Sequence, residues 1–138
     1  MLSRLITITT LLWAGMILGI SFLESWVKFR APTLSRAIGL DVGRTIFNSF
    51  HKVQCILLML VVCISLFAKI PLMDWLMVGV LTSIILLQLT WLFPILDRQV
   101  TVILAEGEAR CSHAHKTYGV LEVAKFLALL GFTMRLMF

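Results

Sequence analysis

Eight polar or ionisable side chains stand inside or at the edges of the apolar runs of this 138-residue chain: Glu24, Lys28, His51, Gln54, Gln88, His115, Glu122 and Lys125. Glu24 and Lys28 are four residues apart and Glu122 and Lys125 three, spacings that put each pair on one face of a helix. Pairing lowers the cost of holding charge in a partly dry bundle. A carboxylate left unpaired there would suit proton handling, a common role of membrane acids. The spacing does not say which carboxylate is unpaired, and plain intrahelical solvation accounts for both pairs equally.

Other chemistries find weaker support. His113 and His115, with Glu106 or Glu108 nearby and His51 from another helix, supply metal-binding donor types, but their spacing matches no zincin or Cys/His zinc pattern. Residues two apart on a helix point about 200° apart, so His113 and His115 do not readily serve one ion. A b-type haem would need His51 and His115 facing each other. The cofactor question therefore stays open. No G-x-S-x-G elbow, phosphate loop or dinucleotide fingerprint is present. Cys111 and His113 are too close in sequence, and too isolated, to read as a catalytic dyad. The basic aromatic stretch WVKFR reads as an interface anchor, so no nucleic-acid partner is expected.

What must position these residues is a set of membrane helices. The chain is 60% hydrophobic and 14% charged, with a mean hydropathy of +1.02, outside the range of ordinary soluble domains. A helix needs about 20 residues to cross the hydrocarbon core. One integral domain spans residues 1–138, with crossings expected near 5–28, 46–68, 72–96 and 117–137. The predicted fold is an all-α membrane protein, a four-transmembrane-helix bundle with a third helix kinked at Pro94 and short interfacial segments. The fourth crossing is the weakest, because Glu122 and Lys125 lie in its first turns, where long side chains can reach toward headgroups. Three crossings plus a surface helix is the alternative.

With four crossings, Lys28, Arg30, Arg36, Arg44, Lys52, Arg98, Arg110, Lys116 and Lys125 collect on one side, against Arg4, Lys69 and Arg135 on the other. The positive-inside rule then puts both termini outside the cytoplasm, in what reads as a bacterial inner membrane, although Arg4 alone favours the reverse. The same directions bring Glu24, His51 and Glu122 toward one membrane face, with Gln88 about two turns deeper. A shared pocket and separate interfacial roles both fit this convergence.

Local signals add detail. Asp41 is a candidate cap for a helix that carries His51, and Ser112 for the last helix. The first helix is expected to run past Glu24 until Pro32, and "VTVILAE" to continue the third toward Gly107. Gly15 and Gly19 stand at GxxxG spacing, and Gly119 and Gly131 are further candidate close-approach positions for helix packing. The first apolar run resembles a signal peptide but has no clean small-residue cleavage site, and reads as a retained crossing. The cysteines show no paired spacing.

The segment KFRAPTLSRAIGLDVGR after a glycine-containing first crossing, LTWLFPIL later, and a last helix opened by HKTYGVLE together resemble a known pattern. The chain is similar to the small four-helix membrane family of unknown function that includes bacterial relatives of the eukaryotic transmembrane protein called number 205. Ala31-Pro32 corresponds to that family's turn after the first crossing and His115 to its histidine before the last. Tyr118 stands where a serine is usual, and Glu122 where an asparagine is. The resemblance implies the four-helix architecture and no reaction.

Three functions follow from these features. The first is a non-enzymatic packing or accessory subunit of a membrane complex, whose partners are membrane lipids and itself or other membrane subunits. The second is an oligomeric transporter or channel component, with Glu24, His51, Gln88, Glu122 and Lys125 lining a route. The third is an intramembrane enzyme or lipid-cofactor binder.

Overall fold

The computed structural model describes residues 1–106 and 113–138. The described residues form four long helices: α1 (Leu2–Lys28), α2 (Arg36–Ala68), α3 (Leu72–Glu106) and α4 (His113–Met137). At 1.5 Å per residue even α4 is roughly 37 Å long, more than the ~30 Å hydrocarbon core. The first three are apolar enough as well as long enough to cross a membrane.

Every helix buries a stripe whose members recur at steps of three and four. In α1 it is Ile6, Thr10, Trp13 and Ile17; in α2, Phe50, Gln54, Leu57, Val61 and Ser65. In α3 it is Asp74, Val78, Leu81, Ile85, Gln88 and Leu92; in α4, Tyr118, Glu122, Lys125, Leu129 and Phe132. This is the periodicity of helices packed lengthwise against one another. α4 packs along α1 and α3, and α2 along α1 and α3, which closes the bundle.

The outside is as apolar as the inside. Leu12, Ile56, Met59, Leu66, Phe67, Leu76, Leu127 and Met134 are all exposed, far more apolar surface than soluble monomers present to water. Many hydroxyls on the helices bond to the carbonyl four residues earlier, as Thr82 does to Val78 and Thr90 to Leu86, which satisfies them without water. The chain is a multi-helix membrane protein.

Two local expectations are corrected. α2 begins at Arg36, capped by Ser35, whose hydroxyl accepts from the Ile38 amide at 3.3 Å. Asp41 lies one turn inside the helix, because the extended Ser35 already starts it. α3 continues past its expected crossing to Glu106, as the VTVILAE segment predicts, and α2 reaches back to Arg36. Gly15, Gly19, Gly119 and Gly131 have no neighbour from another element within 4 Å of where a Cβ would stand. Close approach occurs instead at Gly39, under the Phe29 ring, and at Gly43, against the Lys28 ammonium.

α1 and α3 each contain a π-helical stretch, Ile17–Glu24 and Gln88–Leu92. The second ends two residues before Pro94, whose missing amide disturbs the helical ladder. The turn joining α2 to α3 is three residues long and holds Lys69 at φ 50°, in the left-handed region. The expected Ser112 cap, Gly107, Glu108, Arg110 and Cys111 lie outside the described residues.

Candidate functional site

The stripes carry polar residues as well as apolar ones, and at one level of the bundle these meet. Lys125 of α4 is wholly buried and Glu122, one turn earlier, is 1% exposed. The Lys125 Nζ lies 2.6 Å from Glu122 Oε1 and also donates to Gln54 Oε1 of α2. Gln88 Nε2 of α3 donates to the same Glu122 oxygen at 2.9 Å. The other carboxylate oxygen accepts from Ser21 of α1 at 2.7 Å, and Trp13 Nε1 of α1 reaches Gln54 Oε1 at 3.4 Å. All four helices therefore contribute to one network centred on an ion pair.

This resolves how a charged helix can belong to the bundle. Glu122 and Lys125 do not reach out to headgroups as their sequence position suggested. They turn inward, where each meets an opposite charge and amide or hydroxyl groups, which lowers the cost of burying both. Ser21 and Gln88 both come from π-helical stretches, which recur at functional positions in helices.

His51 is next along the axis. It is buried, its Nδ1 sits 2.9 Å from the Phe47 carbonyl, and its ring lies 5.2 Å from Phe93 and 5.8 Å from Tyr118. The Tyr118 hydroxyl is buried and has no hydrogen-bond partner among the described residues. Among the described residues His51 Nε2, Gln54 Nε2 and Gln88 Oε1 are likewise buried without a hydrogen-bond partner. At the other end of the bundle the Thr10 and Thr133 hydroxyls meet at 2.7 Å.

The remaining candidates lie outside this core. Glu24 and Lys28 pair at 3.1 Å within α1. His115 borders a cleft of about 190 Å³ that opens above Tyr118. Lys28, Arg44 and Asp97 line the same cleft among phenylalanine and aliphatic side chains, and Arg44 Nε sits 2.5 Å from Asp97 Oδ1. The candidate cluster thus divides into a closed inner network, Gln54, Gln88, Glu122 and Lys125 with His51 beside it, and an outer group, Glu24, Lys28 and His115.

Among the described residues no three His, Cys, Asp or Glu side chains converge as a metal set. His51 is packed against aromatic rings while His113 and His115 are exposed. Of the basic residues assigned by sequence to one face, Lys125 belongs to the interior.

Sequence reading missed Trp13, Ser21 and the Thr10–Thr133 contact. The signal was phase: each polar residue of the core falls on the same three-and-four stripe as buried leucines and isoleucines. Searches against protein-family models, curated proteins and solved structures found no match to this chain.

Proposed function

We propose that this chain is a four-crossing membrane protein that serves as a packing or accessory subunit of a membrane complex, with both termini outside the cytoplasm. One observation carries the reading: the buried ion pair is consumed internally. Both Glu122 oxygens and the Lys125 ammonium are bonded to side chains of the chain's own four helices. Such a network holds helices in one arrangement, which lipid alone does not specify, because bilayers supply no hydrophobic drive between helices. The outward Gly15 and Gly19 remain free for a neighbouring helix.

The test is native mass spectrometry of the full chain extracted gently with its lipids. A mass containing a second copy or another subunit supports the accessory role, and a monomer alone counts against it. A second reading, an oligomeric transporter or channel component, draws on the unbonded polar atoms around the ion pair. Flux across proteoliposomes that falls in Glu122→Gln while assembly is intact would favour it over the first.

A further inference from the structure

The cleft at the long-loop end of the bundle has properties that the inner network does not use. It is lined from all four helices, and its walls are largely apolar: Phe29, Leu40, Phe47, Phe93, Leu96 and Val100. Two cations enter it. Lys28 is 11% exposed at its side chain and, among the described residues, is bonded only to Glu24, so an ammonium with three donors has donor capacity left over. Arg44 is tethered to Asp97 through Nε, which leaves the rest of its guanidinium fork. His115 stands on the rim. Among the described residues Asp97 is the carboxylate that lines the cleft and Glu24 is paired with Lys28 beside it, so the excess of positive charge comes from the basic residues that surround this end of the bundle.

Gly43 is part of this construction. A Cβ at that position would overlap the Lys28 ammonium. The absence of a side chain on α2 is what allows the ammonium to lie across the cleft, flanked by the Phe29 and Phe47 rings at 5.3 and 5.9 Å.

Apolar walls beneath a cationic rim fit an amphiphile with an anionic head. The position agrees: this end of the bundle carries Arg30, Arg36, Lys52, Arg98 and Lys116 besides, and Trp26 with Arg30 stacked 3.7 Å above it marks the headgroup layer. The volume, about 190 Å³, is below the roughly 300–1,000 Å³ of sites that engulf a small ligand. It takes a headgroup and the first methylenes, with the rest of the chain left in the bilayer.

We propose that this cleft binds one anionic phospholipid, its phosphate held by Lys28, Arg44 and His115 and the start of an acyl chain laid along Phe47, Phe93 and Leu96. This goes beyond the accessory role and does not depend on it, since a monomer binds such a lipid as well as a subunit does.

The experiment reconstitutes the full chain in nanodiscs containing equal parts of phosphatidylcholine and phosphatidylglycerol and counts retained lipids by native mass spectrometry. The expected result is one phosphatidylglycerol per chain, kept in preference to phosphatidylcholine. Lys28→Gln and Arg44→Gln each lower that retention about fivefold, the effect of one basic residue near a lipid surface. Gly43→Ala lowers it too by pushing the ammonium aside. An excess of soluble glycerol phosphate leaves the lipid in place. Equal retention of the two lipids, unchanged retention in the two charge variants, or displacement by glycerol phosphate would each overturn the proposal. Melting curves confirm that the variants fold; should Lys28→Gln fail, Arg44→Gln and His115→Gln, altered at more exposed positions, decide the matter.

Discussion

Asp74 at the start of α3 and Arg135 near the end of α4 meet at 2.8 Å, Oδ1 to Nε, although 61 residues separate them. The carboxylate is 6% exposed and the guanidinium 46%. Truncating the arginine therefore strands a buried acceptor, whereas truncating the aspartate only returns a cation to the surface. Arg135→Ala is expected to destabilise the detergent-solubilised protein by about 1–3 kcal/mol, and Asp74→Asn by less. Thermal melting followed by circular dichroism checks the asymmetry; equal losses would contradict it.

The ion pair at the centre should behave more sharply. Lys125→Met leaves Glu122 buried beside an apolar group, a change that costs about 3–5 kcal/mol in comparable buried pairs. Removing both charges in Glu122→Met/Lys125→Met removes the need for compensation, although Gln54, Gln88 and Ser21 then lose partners. The double variant is expected to melt above either single one. A double variant that melts at the sum of the two single losses would mean that the two charges do not act as a pair.

Glycine positions separate contacts within the chain from contacts outside it. At Gly39 a Cβ would come 2.9 Å from a Phe29 ring carbon and 3.4 Å from Leu34, so Gly39→Ala is expected to cost about 1 kcal/mol or more through overpacking. Gly15→Ala and Gly19→Ala meet nothing among the described residues and should be neutral or raise stability by up to ~1 kcal/mol, the usual advantage of alanine in a helix. If a neighbouring subunit uses that face, the same two substitutions weaken association while leaving the monomer's melting intact. Paired melting and native-mass measurements read both effects.

The proposed topology is checked by single cysteines in a background lacking Cys55, Cys63 and Cys111. Thr33→Cys in the first connection should be protected from an impermeant maleimide applied to intact cells and labelled after inversion. Ser3→Cys, Ile70→Cys and Phe138→Cys should label from outside. A Phe138 position that labels with Thr33 would show that α4 does not cross.

How far the fold could be read from sequence differed by feature. The helices themselves were legible, because runs such as "CILLMLVVCISLFA" are too long and apolar for anything else, and so was the helical setting of His51. The continuation of α3 toward Gly107 was legible too, from the apolar VTVILAE; the start of α2 at Arg36 was not, because polarity marks where lipid ends and not where a helix does: Arg44 and Asp97 interrupt the apolar pattern yet pair with each other across two continuing helices. The Asp41 cap failed for a similar reason, with Ser35 offering the same chemistry one and a half turns earlier. The direction in which Glu122 and Lys125 face was hidden as long as they were read as a helix end. Reading them in phase with Leu129 and Phe132 points them inward. The Thr10–Thr133 and Asp74–Arg135 contacts join the first and third helices to the last, and nothing local announces such pairings.

The inward-facing charges of α4 also bear on the order in which the protein is made. On the four-crossing topology, a lone α4 would expose a glutamate and a lysine to hydrocarbon, each at a cost of about 2.5–3.5 kcal/mol if at the centre. Their partners Ser21, Gln54 and Gln88 all precede them in the chain, and synthesis delivers earlier segments first. The three apolar helices can enter the bilayer on their own merits. On that topology the fourth would become a membrane helix by finding them already there, and its insertion would be at the same time the closing of the four-helix bundle.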